Sequence, residues 1–317
     1  MYKLKDFKDK YIDEAVLLSL KEYSEEKEKV NELPENDYKD KIYKLLKNMP
    51  DNNLGAVLFQ DNKIKGYIKS YGPIDNFFGN SNGAFVPLHG HGTVKENREY
   101  IYSLLYQYAA EKWYNKDLLS YAITLYAHNK PSINSFFQNG FGLRCVDAIS
   151  NIDNPDLKYK KNKRYDFKAL IYDDLNKIEP LKNKLIEHLG KSPTFLIYEK
   201  FKLKKLIEQS KKRNSRFFTV SNKKKVLGYL EIKDTGENFT TVDEKTVNIC
   251  GAYLIPEYRG DNLFKNLISF MFKKLRKEGY IRCGVDFESF NPTAFRFWLK
   301  YFKPYTNTVT RRVDEKN

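Results

Sequence analysis

The apolar positions between Val247 and Trp298 change period twice. Val247-Asn-Ile-Cys-Gly-Ala-Tyr-Leu-Ile255 reads as a strand, and Pro256-Glu-Tyr-Arg-Gly-Asp-Asn-Leu263 as the turn that ends it. Beyond the turn, Leu263, Leu267, Met271 and Leu275 recur every fourth residue, with Phe264, Ile268 and Phe272 as a second row. That spacing predicts an amphipathic helix to about Gly279, its apolar face packed on a sheet. A second strand follows and ends in Val285-Asp-Phe-Glu-Ser-Phe-Asn291. The helix N-terminus falls at Arg259 to Asn262, where backbone N–H groups lack intrahelical partners and the helix dipole is positive. Such a turn suits a diphosphate, with Arg259 adding charge-assisted bonds; the alternative is an ordinary strand-to-helix turn with a solvated arginine.

The pattern occurs twice. Leu54 to Tyr67 reads as two strands joined by a tight turn, and Arg216 to Tyr229 repeats it. Gly228 follows Gly66 by 162 positions, and Asn291, ending the run from Gly284, follows Asn129, ending the run from Ala122, by the same 162. Each half is therefore a short strand, helices, a hairpin, then strand, helix, strand and short helix. The halves divide near Lys158 to Arg164, a basic polar stretch behind Asn154-Pro155. In the first half the corresponding turn is expected at Pro87-Leu-His-Gly-His-Gly-Thr-Val-Lys-Glu-Asn-Arg98, with seven extra residues in or beside it. His89 and His91 are open to three readings there: a metal, a substrate pocket, or loop hydrogen bonds. His128 and His188 have no evident partner.

The order of strand, Arg-Gly turn, helix, strand and Asn resembles the acetyl-CoA-binding core of the GNAT N-acetyltransferases. The resemblance is specific from Val247 to Val313 and weaker from Gly83 to Ala148. It implies an α/β fold of two tandem GNAT domains, each a mixed, mostly antiparallel central sheet flanked by helices. A degenerate domain is expected over residues 1–158 and an acetyltransferase domain over 165–317. The family turn, Gln/Arg, any, any, Gly, any, Gly/Ala, falls on Arg259, Gly260, Asp261, Asn262, Leu263 and Phe264, so both small positions are replaced. Asn262 tolerates left-handed backbone. Phe264 either narrows the approach to the diphosphate or turns into the core, and Asp261 adds a negative charge. By the resemblance, backbone N–H groups of Leu254 and Ile255 address the thioester and pantetheine arm, Arg259 to Leu263 cradle the diphosphate, and Asn291 and Trp298 belong to the cofactor groove. The first half, without the Arg-x-x-Gly-x-Gly pattern, is expected to bind the cofactor poorly or not at all.

Moving an acetyl group to an amine by direct attack calls for a base, because an alkyl ammonium has a pKa of about 10.4. Asp286 and Glu288 point to one face of an extended strand and are the candidates; they read equally as substrate-binding carboxylates or as partners for nearby arginines. The tyrosine acid frequent in the family stands seven residues beyond the Asn, where this chain has Trp298, and Phe136 in the first half. Tyr301, Tyr305 or water would take its place.

Composition bounds the rest. With 41% hydrophobic residues in 317, the chain builds globular cores. Cys145, Cys250 and Cys283 are widely spaced and form no metal-binding motif, which fits a reduced, cytoplasmic setting with no metal. Neither a signal-peptide core nor an apolar run of about 18 residues occurs, so secretion and membrane spanning are not expected. The net charge of +15 is open to nucleic acid, an anionic membrane or an acidic substrate, but lysines interleaved with acidic residues read mostly as solvated surface. The expected partner is a small-molecule or peptide amine, with no membrane, and with a nucleic acid possible but not favoured. Two other functions stay open: a non-catalytic acyl-CoA or ligand-binding module, and a tRNA-dependent aminoacyl transferase of the Fem type, which also pairs two such folds.

Overall fold

The computed structural model describes residues 1–159, 163–223 and 225–313, so part of the Lys158–Arg164 junction lies outside the described residues. The chain divides into two compact units: Met1–Val146 with Pro304–Asn317, and Asp147–Lys303.

The first unit runs β1 (Tyr2–Asp6), α1 (Ile12–Lys27), α2 (Lys39–Asn48), β2 (Ala56–Gln60), β3 (Lys63–Ile68), β4 (Tyr71–Ile74), β5 (Gly83–Val86), β6 (His91–Thr93), α3 (Arg98–Asn115), β7 (Ser120–Tyr126), α4 (Lys130–Gln138) and the first half of β8 (Gly142–Asn151). The second holds the rest of β8, then β9 (Asp166–Leu170), α5 (Glu179–Leu189), α6 (Leu203–Lys212), β10 (Arg216–Asn222), β11 (Lys225–Lys233), β12 (Thr246–Leu254), α7 (Leu263–Lys277), β13 (Arg282–Glu288) and α8 (Pro292–Trp298). The last strand, β14 (Lys303–Arg312), returns from Pro304 to the first unit, where it pairs antiparallel with β7.

In the first unit β1, β2, β3 and β6 form one antiparallel ladder, and β5 pairs in parallel with β7. The second unit has the strand order β9-β10-β11-β12-β13, antiparallel except for β12 with β13. The periodicity of α7 has the expected result. Leu263, Leu267, Ile268, Met271, Phe272 and Leu275 are all buried, and α7 packs over β9, β10 and β11. Each such side chain removed from water contributes about 1.5–3 kcal/mol.

The repeated Gly-Tyr pair has a steric cause. A Cβ on Gly228 would lie 2.7 Å from the Tyr253 carbonyl oxygen, and one on Gly66 would lie 2.8 Å from the Ile101 side chain. Both positions let a neighbour close in, and Tyr67 and Tyr229 are fully buried beside them.

The turn of the first unit is not where the sequence spacing put it. Gly66 faces Thr93 as Gly228 faces Leu254, so β6 corresponds to the end of β12. The turn is then only residues 94–97, shorter than its counterpart at 255–262. Residues 87–90 instead break the strand between β5 and β6, where Pro87 cannot donate to a ladder and Gly90 N–H closes a tight turn on its carbonyl at 2.7 Å.

Candidate active site

Parallel pairing of β12 and β13 runs from Thr246↔Arg282 to Ile249↔Val285, and none joins them further along among the described residues. There β12 carries a bulge: Ile249 faces Ile232 and Gly251 faces Glu231, leaving Cys250 as the extra residue. The strands part into a gap between residues 250–254 and 286–288. On its other edge β12 stays bonded to β11, with Ile255 N–H donating to Leu227 C=O at 3.0 Å. Antiparallel alternation then turns the N–H groups of Leu254 and Ala252 toward the gap. The donor role expected of Ile255 is thus taken from it by Leu227. Ala252 is the second gap-facing donor, and sequence reasoning missed it because only the register reveals it.

The wide end of the gap meets the start of α7. Arg259 is exposed, donates from Nε to Leu254 C=O at 3.0 Å, and lays its guanidinium over the Tyr253 ring. Gly260 at φ +102° and Asn262 at φ +56° make the left-handed turn. The Asn262 side chain caps nothing, and the first helical bond is Asn266 N–H to Asn262 C=O at 2.9 Å. The N–H groups of Leu263, Phe264 and Lys265 therefore have no intrahelical partner. Asp261 is exposed in the same turn. Phe264 turns away from it, with ring centroids 5.2 Å from Phe297 and 6.1 Å from Trp298. Trp298 is buried among Phe264, Phe297 and Phe302, which gives it a packing role between α7 and α8 where the resemblance implied a cofactor contact.

Asn291 caps α8, accepting Ala294 N–H at 3.3 Å, and its side chain also hydrogen-bonds His188 in the last turn of α5. Burial, with the nearby Arg259 charge, holds the His188 imidazole below its ordinary range, so it is neutral near pH 7. The sequence reading left His188 without a partner. The 162-residue offset sets it opposite Glu26, and that correspondence was the available signal.

At the narrow end, Asn248 Nδ2 donates to Asp286 Oδ1 at 3.0 Å. Burial pushes the Asp286 carboxyl up to about 6, the Glu237 carboxylate adds to the rise, and Asn248 and Lys233 oppose it. Lys182 pairs with Glu231 and Lys233 with Glu237 around it. Burial beside Glu231 pushes the Cys250 thiol up to about 12, so it stays protonated at neutral pH and makes a poor nucleophile. Glu288 follows on the same face as Asp286 and is partly buried.

Residues 183–302 match the model of the acetyltransferase (GNAT) family. The second unit carries a GNAT domain. Over its whole length the chain is similar in fold to a GCN5-related N-acetyltransferase from Sphaerobacter thermophilus, at 8% identity, covering 100% of this chain and 97% of that one with a TM-score of 0.63. It is also similar to the glucosamine N-acetyltransferase region of a fungal multi-domain GH3 β-N-acetylglucosaminidase, at 12% identity, covering 98% of this chain and 38% of that one with a TM-score of 0.56. At these identities the likeness is one of fold. No curated protein sequence matches the chain.

In the GNAT domain Tyr301 meets Phe297 edge-on, ring centroids 5.4 Å apart, and lies under Lys265, on the α7–α8 side, while Asp286 points toward Asn248 and Lys233. Tyr305 is buried within the first unit.

The counterpart gap of the first unit is filled by its own side chains. Glu22 of α1 accepts from Thr93 N–H at 2.8 Å, the position matching Leu254 N–H, and also from Tyr102 Oη at 2.8 Å and Asn129 Nδ2 at 3.1 Å. His91 bridges Tyr102 Oη and Thr124 C=O, both at 2.7 Å. Arg98, at the start of α3, is buried and ion-paired with Glu25. His128 likewise has a partner, Glu26, at 2.7 Å. His89 is buried and its pKa falls to about 4. Among the described residues no group of three or more His, Cys, Asp or Glu is disposed to hold a metal, and no helix is long and apolar enough to cross a membrane.

Proposed function

We propose that the second unit is an acetyl-CoA-dependent N-acetyltransferase acting on an amine by direct attack. The observation that carries this reading is the strand gap: it has two backbone donors along one wall that find no strand partner among the described residues, a carboxylate at its narrow end, and uncapped helix N–H groups beside an exposed arginine at its wide end. The uncapped N–H groups of residues 263–265 and Arg259 would hold the diphosphate, and Ala252 and Leu254 N–H would address the pantetheine arm and the thioester carbonyl. The cosubstrate supplies an activated acyl carbon. Asp286, ionised above about pH 6, takes the proton from the acceptor ammonium, with Glu288 on the same face to hold that cation. A nitrogen–carbon bond forms, the carbon–sulfur bond breaks, and Tyr301 or water returns a proton to the thiolate. The high pKa of Cys250 speaks for direct attack over an acyl-cysteine route.

Acetyl-CoA at a hundredfold excess over its dissociation constant should stabilise the second unit by about 2.7 kcal/mol. In a thermal-shift titration Arg259→Ala should lose most of that shift, while His91→Ala keeps it; the opposite pattern would move the site. Thiol release across a panel of amines measures turnover. Tight binding with no release on any amine would replace this reading by the non-catalytic module.

A further inference from the structure

The loop between α5 and α6 exposes three large apolar side chains in four residues: Phe195 at 68%, Ile197 at 92% and Tyr198 at 51%. Phe195 sits at φ +51°, a region bulky residues seldom enter, so the chain adopts an unfavourable backbone at the residue that begins this apolar tip. Around the tip the chain is strongly basic. From Lys191 to Arg213 there are eight basic residues against two acidic ones. Glu187 engages Lys200 and Glu199 engages Lys205, while Lys191, Lys202 and Lys204 point into solvent.

We propose that this loop docks the protein on an anionic lipid surface, with Phe195, Ile197 and Tyr198 entering the headgroup boundary and the lysines facing the lipid phosphates. The amphipathic character of the tip decides between polyanions. A nucleic acid would use the lysines but offers no apolar boundary for Ile197, whereas an interface takes up both. The charge alone left an anionic membrane open, but the apolar tip could not be read from the chain, because a short Phe-Leu-Ile-Tyr run looks like any buried segment until its exposure is known. The loop leaves the last turn of α5, where His188 touches Asn291 beside the strand gap, so docking would bring the gap close to the lipid.

The test is sedimentation of the full chain with vesicles of phosphatidylcholine, alone or with about one third phosphatidylglycerol. Binding is expected to the anionic vesicles only and to weaken with salt. Ile197→Ser with Phe195→Ser should abolish most of it, and Lys202→Ala with Lys204→Ala should weaken it roughly fivefold per lysine. Both double variants should keep the wild-type acetyl-CoA thermal shift, which shows that the fold survives. The proposal fails if anionic vesicles leave the protein in the supernatant. It fails equally if the apolar variant binds like wild type, which would leave a merely electrostatic surface.

Discussion

Asp286 shows how one environment sets both chemistry and cost. Its folded pKa of about 6 lies above its ordinary 3.8, so between those values the folded state holds more protons than the unfolded one. Stability from this group therefore falls as pH rises through that window and is fully lost above it, by up to about 3 kcal/mol. Asp286→Asn should accordingly raise the denaturation midpoint at pH 7.5 and change it little at pH 3.5. The same variant should lower turnover about 10²-fold or more with acetyl-CoA binding intact, and should erase an acid limb near pH 6 in kcat/KM. If that limb persists in Asp286→Asn and vanishes in Glu288→Gln, the base is Glu288. That two carboxylates share a face was legible from strand alternation. The environment that raises the Asp286 pKa was not, because Asn248, Lys233 and Glu237 reach Asp286 from other elements.

At the scale of elements, the strand end, turn and helix are specified locally. Apolar spacing placed α7, and Asn262 takes the left-handed conformation its side chain tolerates. The gap is not local. It needs β12 to keep β11 on one edge while losing β13 on the other, and the bulge at Cys250 marks where the two registers stop agreeing. Gly228 sustains the first of these pairings. Gly228→Ala would drive a Cβ to 2.7 Å from the Tyr253 carbonyl, a backbone atom that cannot rotate aside. We expect a loss of about 1–3 kcal/mol in urea unfolding, together with weaker acetyl-CoA binding, because Tyr253 and Leu254 would shift. Unchanged binding in a destabilised variant would show that the gap tolerates movement of β12. The first-unit turn was misplaced for a related reason: counting from Pro87 assumed an unbroken strand, whereas the chain spends residues 87–90 on a break between β5 and β6.

At the scale of the whole molecule, the end of the chain belongs to the unit at its beginning. Tyr305 and Val309 are buried in the first unit, Thr308 Oγ1 lies 2.9 Å from Thr124 Oγ1, and Arg311 donates to Tyr106 Oη at 2.9 Å. A chain ending at Lys303 should therefore lose protection in β7 and α3 by hydrogen exchange, while α7 and β12 stay protected and acetyl-CoA still stabilises the second unit. Loss of protection confined to the second unit would contradict this assignment. By itself the sequence determined the strand, turn, helix and strand from Val247 to Asn291, the two-fold repeat and the Arg259 turn, since each follows from the spacing of apolar residues and turn formers along the chain. Only the tertiary structure decided that the first gap is filled and the second open. That difference lies in whether a side chain from a distant helix, Glu22 in the first unit, reaches the backbone donor at the strand end, and such a contact leaves no period in the sequence.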